Sequence, residues 1–185
     1  MIDVRTNVKD TPTELVEPLE IITTFFEAGY PKEHRKDLKK WRYYVINQEQ
    51  YSSRFGASHL LANYEETIQL IKAAHALFTH NEILSVYSSA ANSDLIEEKN
   101  SWDYYPSNLP KKSLTNPANV VCKFFNKIAL DSYEELLHEW LRLALSKKAA
   151  HETLTPKNVI DVYDNLNRLY SAAWIIYKRH VNNRR

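Results

Sequence analysis

Apolar residues recur along this chain at intervals of three and four, the spacing that collects side chains on one face of a helix. Leu15, Leu19, Ile22 and Phe26, flanked by Val16 and Phe25, make the first such stripe, and Thr11-Pro12 supplies a capping residue and a preset first turn ahead of it. Gly29 is expected to close this helix in a left-handed cap. Pro31 then opens a second helix whose buried face is Leu38, Trp41 and Val45. A third helix is predicted from about Ala57, with Leu60, Leu61, Tyr64, Ile68, Leu70, Ile71, Ala73, Ala74, Leu77 and Phe78 spread around most of its circumference.

The same pattern then returns. Phe25-Phe26, Leu38, Trp41, Tyr64, Leu70 and Ala73-Ala74 recur as Phe124-Phe125, Leu137, Trp140, Tyr163, Leu169 and Ala172-Ala173, each displaced by 99 positions without a gap (124 − 25, 163 − 64). Leu15 and Pro18 have counterparts in Leu114 and Pro117 at the same displacement. One register serving three successive helices predicts an all-α fold: a helical bundle of about six main helices built from two tandem three-helix repeats related by a pseudo-twofold axis. The repeats run over about 12–80 and 112–181, within one domain spanning 1–185. The two third helices, carrying the paired alanines, are expected to lie side by side at the centre. In the second repeat Asn116-Pro117, Asp131-Ser132 and Thr155-Pro156 read as helix starts.

Residues 81–111 have no counterpart. Ile83, Leu84, Val86 and Tyr87 suit a short helix or an extension of the third, and Asp94 to Glu98 another turn. Beyond them Pro106, Asn108 and Pro110 break regular structure, yet Trp102, Tyr104 and Tyr105 are too aromatic for a free linker. This segment is expected to pack back across the helices and to offer a recognition surface.

Composition narrows the class of function. The 185 residues are 44% hydrophobic and 25% charged, with a formal net charge of +1, so no global charge draws the protein to nucleic acid or to a membrane. No apolar run is long enough to span a bilayer, and the N-terminal residues do not read as a secretory signal. The single Cys122 fits a reducing, cytoplasmic setting and reads as a small packed residue. With only two glycines, Gly29 and Gly56, the chain has no glycine-rich phosphate loop. It has no Gly-x-Ser-x-Gly elbow and no cysteine pair for zinc. Glu135-Leu136-Leu137-His138 has the Glu-x-x-His spacing of a di-iron helix, but the other repeat places Lys36 and Lys39 there. A solvent-facing row of Glu134, His138 and Arg142 accounts for it, His75 reads as a core or interface histidine, and neither a metal nor a cofactor is expected.

Two features could carry chemistry. Arg54-Phe55-Gly56-Ala57-Ser58-His59 resembles the Arg-x4-6-His motif of HEPN-type ribonucleases, all-α bundles whose dimers join two such motifs at an RNA-cleaving site. The resemblance implies phosphate binding by Arg54 and proton transfer by His59. The second feature is a run of cations on the second helix: Lys32, Arg35, Lys36, Lys39, Lys40 and Arg42, offset by Glu33 and Asp37 and followed by Tyr43-Tyr44. Such a face suits phosphates, with tyrosine available for stacking on bases. The equivalent helix of the second repeat carries Glu134, Glu135 and Glu139, a polarity that could equally guide a homodimer. The reading is a cytoplasmic helical binding or scaffold protein for a protein or small-molecule partner, with Lys32, Arg35, Lys36, Lys39, Lys40, Trp102, Tyr104 and Tyr105 as its surfaces. The alternative is an RNA-binding protein or ribonuclease using Arg54 and His59.

Overall fold

A computed structural model describes residues 13–47, 49–80, 84, 90–146 and 154–183. Eight helices and no strands occur among them: α1 (Thr13–Glu27), α2 (Pro31–Asn47), α3 (Gly56–Thr79), α4 (Asn92–Ser101), α5 (Lys111–Thr115), α6 (Ala118–Lys127), α7 (Leu130–Leu145) and α8 (Pro156–Asn183). Thr11-Pro12 and most of residues 81–89 lie outside the described residues, although Leu84 is described and buried.

The helix boundaries follow local chemistry. Pro31 and Pro156 each occupy the first position of a helix, where a missing N–H costs nothing, and Thr155 Oγ1 accepts the Asn158 N–H at 3.2 Å. Gly29 is not the left-handed cap expected of it. Of the two glycines, Gly56 alone has positive φ, at 70°. The α1–α2 turn is closed instead by His34, whose Nε2 donates to the carbonyls of Phe25 at 3.0 Å and Gly29 at 3.1 Å. Asp131-Ser132 likewise does not cap α7. The cap is Ala129, and Asp131 sits in the first turn, where its negative charge suits the helix dipole.

The close helix pairs are α1 with α3 and α8, α6 with α8 and α3, α2 with α8, α3 with α7, and α2 with α7. The third helices of the two halves, α3 and α8, do not form the close central pair expected from their alanines. Instead α1 and α6 each pack against both of them. Phe26 packs against Trp174 and Tyr177 of α8, with ring centroids 5.3 and 5.8 Å away, and Phe125 packs against His75 and Phe78 of α3 at 4.9 and 5.5 Å. Both sets of partners sit 99 positions apart. The broad apolar circumference of α3 and α8 is therefore spent on contact with α1, α2, α6 and α7 rather than with each other. One link does cross directly: the Thr67 and Tyr170 hydroxyls lie 2.8 Å apart, and burial pushes the Tyr170 phenol well up from its ordinary range.

Buried side chains from α1, α2, α3, α6, α7 and α8, with Leu84, Trp102 and Leu109 from between the halves, make one hydrophobic cluster. Trp41 and Trp140 are among its largest members, and burying such a ring contributes several kcal/mol, ~3–5 by the cost of its removal. The connecting segment is stitched to α8. Trp174 Nε1 donates to the Tyr104 carbonyl at 3.0 Å, Ser171 Oγ donates to Asn108 Oδ1 at 2.6 Å, and Arg179 grips Glu98 while donating to the Leu114 and Thr115 carbonyls. The aromatic segment thus packs back across the helices, as its composition predicts. On α7 His138 and Arg142 face solvent as expected and Glu134 is half-buried, with Arg142 paired to Glu139 and Glu134 reaching Lys72 of α3 at 3.3 Å.

Candidate binding groove

Along α2, Lys36, Lys39, Lys40 and Tyr43 fall at spacings of three and four and so share one side of the helix. The chain then turns back beside that side. Tyr44 fastens the turn by donating its hydroxyl to the Ser52 carbonyl at 2.8 Å, and the Tyr51 N–H reaches the Ala144 carbonyl of α7 at 2.7 Å. Ser53 continues the constraint: its Oγ accepts the Phe55 N–H at 3.3 Å and its carbonyl accepts the Gly56 N–H at 2.9 Å. Only at Gly56, with φ of 70°, does the backbone swing from this turn into α3, a conformation that a Cβ would disfavour. The result places Arg54, Phe55 and His59 opposite the α2 cations across an open groove of about 960 Å³.

The groove is amphipathic in its lining. Its lining holds Lys36, Lys39, Lys40 and Arg54 together with Glu33 and Asp37, four cations to two carboxylates, a local excess absent from the chain's net charge. Two large rings stand out into solvent at its walls, Phe55 at 57% and Tyr43 at 49% exposure. Both are backed by charge: the Arg54 guanidinium lies 4.5 Å from the Phe55 ring, and Tyr43 donates to Glu49 at 3.3 Å. The neighbouring Glu49 carboxylate raises the Tyr43 phenol above its ordinary value, keeping it a neutral donor. Lys40 lies over the Tyr51 ring at 5.1 Å.

His59 is half-buried on the α3 side. Its Nδ1 sits 3.2 Å from the Tyr51 hydroxyl and 3.4 Å from the Asn63 amide, and its ring is tilted against Phe55 with centroids 5.5 Å apart. With Nδ1 receiving from Tyr51, Nε2 carries the proton in the neutral ring. Burial raises the Tyr51 phenol, which therefore keeps its proton.

The structure therefore gathers Lys36, Lys39, Lys40, Arg54 and His59 from two separate sequence motifs into one place. The remaining candidates lie elsewhere. Lys32 is exposed and does not line the groove. Arg35 turns towards the connecting segment, donating its Nε to the Pro31 carbonyl at 3.1 Å and its guanidinium to the Tyr104 hydroxyl. Trp102 is only 8% exposed and belongs to the core, leaving little of its ring for a partner. Tyr104 is half-buried against Trp174, and Tyr105 against Trp102. Cys122 is partly buried, and desolvation pushes its thiol up, away from nucleophilic reactivity.

Sequence reasoning missed the part played by Tyr44, Tyr51 and the two serines. Their signal is the polar run Ser52-Ser53-Arg54 immediately before a glycine at a helix start, a sign of a turn held by side-chain hydrogen bonds. Exposed Phe55 carried its own signal, an aromatic residue placed directly in such a turn. No protein-family model matches this chain, and no curated protein or solved structure matches it.

Proposed function

We propose that this protein is a helical binding module that holds single-stranded RNA in the groove between α2 and the turn at Arg54. The observation that carries this reading is the lining itself: Lys36, Lys39, Lys40 and Arg54 lie beside the protruding rings of Tyr43 and Phe55. A cationic track neutralises phosphates, and exposed aromatic rings stack on unpaired bases whatever their identity. Double-stranded nucleic acid would leave those rings without a role. In this reading Arg54 and His59 contact the phosphate chain, and Tyr51 and Asn63 hold the His59 ring in place through Nδ1.

A salt series of filter-binding measurements with mixed-sequence single-stranded RNA tests the proposal. Affinity falling steeply with salt, and falling again in Lys36→Glu and Lys39→Glu, is expected. Absence of binding at low salt would reject it and turn attention to an acidic protein partner. The second reading, a ribonuclease, rests on Arg54 and His59 opening onto the same groove. RNA cleavage lost in folded His59→Ala would establish that reading instead.

We also infer that the scaffold arose by duplication of a three-helix unit and folds as one intracellular domain with a pseudo-twofold axis. Support comes from contacts repeated at the displacement of 99. His34 stacks on Phe25 with centroids 3.9 Å apart, and Tyr133 stacks on Phe124 at 4.0 Å. Each also reaches the backbone carbonyl of the phenylalanine beneath it, His34 at 3.0 Å and Tyr133 at 3.4 Å. The starts of α2 and α7, Pro31 and Leu130, are 99 apart as well. The halves differ where their surfaces differ: α2 is basic and α7 acidic, which gives a route to self-association through opposite faces.

A further inference from the structure

A second concavity lies on the other half of the molecule, bounded by α6, α8 and the stretch around α5, with a volume of about 340 Å³. Three cations open onto it. Lys123 and Lys127 are one helical turn apart on α6, and Arg168 faces them from α8. The lining contains no carboxylate, and among the described residues none of the three cations forms an ion pair. Asp164 lines an adjoining hollow instead, which shares Arg168. In a chain with 24 basic and 23 acidic residues, three converging unpaired cations are a local departure that repulsion disfavours.

Packing does not explain these charges. All three side chains are exposed, and the residues 99 positions earlier are Thr24, Ala28 and Gln69, so the first half of the scaffold builds the same helices without them. The wall opposite α6 comes from the segment that has no counterpart. Asn108 is held there by donating to the Asn167 carbonyl at 3.2 Å and accepting from Ser171 at 2.6 Å, and Leu109 is buried beside it. Below the cations the surface is apolar, formed by Leu109, Val120 and Phe124, while Asn165 and Ser113 add neutral polar groups. A cationic rim over an apolar floor, at the small end of ligand-pocket volumes, suits a compact organic anion.

We propose that this pocket binds a small organic phosphate, its phosphate held by Lys123, Lys127 and Arg168 and its body resting on Leu109, Val120 and Phe124. The site is separate from the α2 groove and shares no residue with it. Isothermal titration of the full chain with adenosine monophosphate, adenosine and inorganic phosphate tests it. Adenosine monophosphate should bind with an affinity that weakens with salt, with the other two at least tenfold weaker. Lys127→Glu and Arg168→Glu, both at exposed positions, should each lower that affinity at least tenfold with the helical circular dichroism unchanged. Lys39→Glu in the α2 groove should leave it unaltered. No saturable binding of adenosine monophosphate at millimolar concentration would overturn the proposal. So would inorganic phosphate binding equally well, or binding lost in Lys39→Glu but retained in Arg168→Glu. Because the variants address different sites, failure here leaves the RNA reading of the groove standing, and failure there leaves this pocket standing.

Discussion

Trp41 meets Trp140 edge to face at the middle of the core, with ring centroids 5.6 Å apart and planes at 89°. The two residues are 99 positions apart in the chain, the displacement at which its apolar pattern recurs. Both are almost fully buried, and neither indole N–H has a hydrogen-bond acceptor among the described residues. Trp41→Ala and Trp140→Ala should each cost ~3–5 kcal/mol in urea unfolding. The double variant should cost less than the sum, by about 0.5–3 kcal/mol, because one contact serves both rings. Strict additivity would mean that the two rings do not support each other.

The stack of His34 on Phe25 predicts a pH dependence. Burial lowers the His34 pKa, and hydrogen bonds to the Phe25 and Gly29 carbonyls and the charges of Glu66 and Asp37 only partly oppose it. In the unfolded chain the ring titrates near its ordinary value of about 6.5. Below that value the unfolded state takes up a proton that the folded state refuses, so stability is complete at higher pH. It declines as pH falls towards the lower folded value. Unfolding midpoints measured between pH 7.5 and 5.5 should fall less in His34→Gln than in the parent chain. An equal fall in both would place the titrating group elsewhere.

Tyr43 and Phe55 should act through stacking and not through stability. Each is exposed, so Tyr43→Ala and Phe55→Ala should leave urea unfolding within about 0.5 kcal/mol. The same changes should weaken single-stranded RNA binding by ~1–3 kcal/mol apiece, with the salt slope unchanged because no phosphate contact is lost. A weakened salt slope would mean that the rings position the cations instead.

The Glu98–Arg179 pair holds the connecting segment to α8 through a buried contact of 2.7 Å. Glu98→Ala removes the carboxylate from a mostly buried guanidinium that also donates to the Leu114 and Thr115 carbonyls, and should cost about 3–5 kcal/mol. Pairing Glu98→Leu with Arg179→Met should recover part of that loss, since the buried charge goes while those carbonyls lose their donor. Urea unfolding of the two variants checks the order; a double variant less stable than Glu98→Ala would contradict it.

How much of this was legible in the chain depended on whether it was local or periodic. The starts at Pro31 and Pro156, the buried face of α2, that of α3 apart from Leu61, which is exposed, and the return of the aromatic segment onto the helices all follow from spacing and side-chain type. The arrangement of α3 and α8 was not legible. A helix apolar on all sides specifies that it is surrounded but not by what, and α1 and α6, which pack against both, come from distant parts of the chain. The left-handed turn expected at Gly29 lies at Gly56 instead, because His34 closes the first turn by its own hydrogen bonds. The cations on α2 and the Arg54-His59 motif were each visible alone. Their meeting across one groove depends on Tyr44 and Tyr51 folding the intervening chain back, and that long-range geometry leaves no periodic trace.

The 28-residue α8 is the last of the described helices, yet it covers α1, α2, α5 and α6. Phe25 meets Tyr170 and Phe26 meets Trp174, residues 145 and 148 positions further along the chain (170 − 25, 174 − 26). Until α8 is in place those rings stay uncovered, and exposed apolar surface of this kind makes a partly folded chain prone to aggregation. The finish of the first helix is in this way deferred to a segment far along the chain.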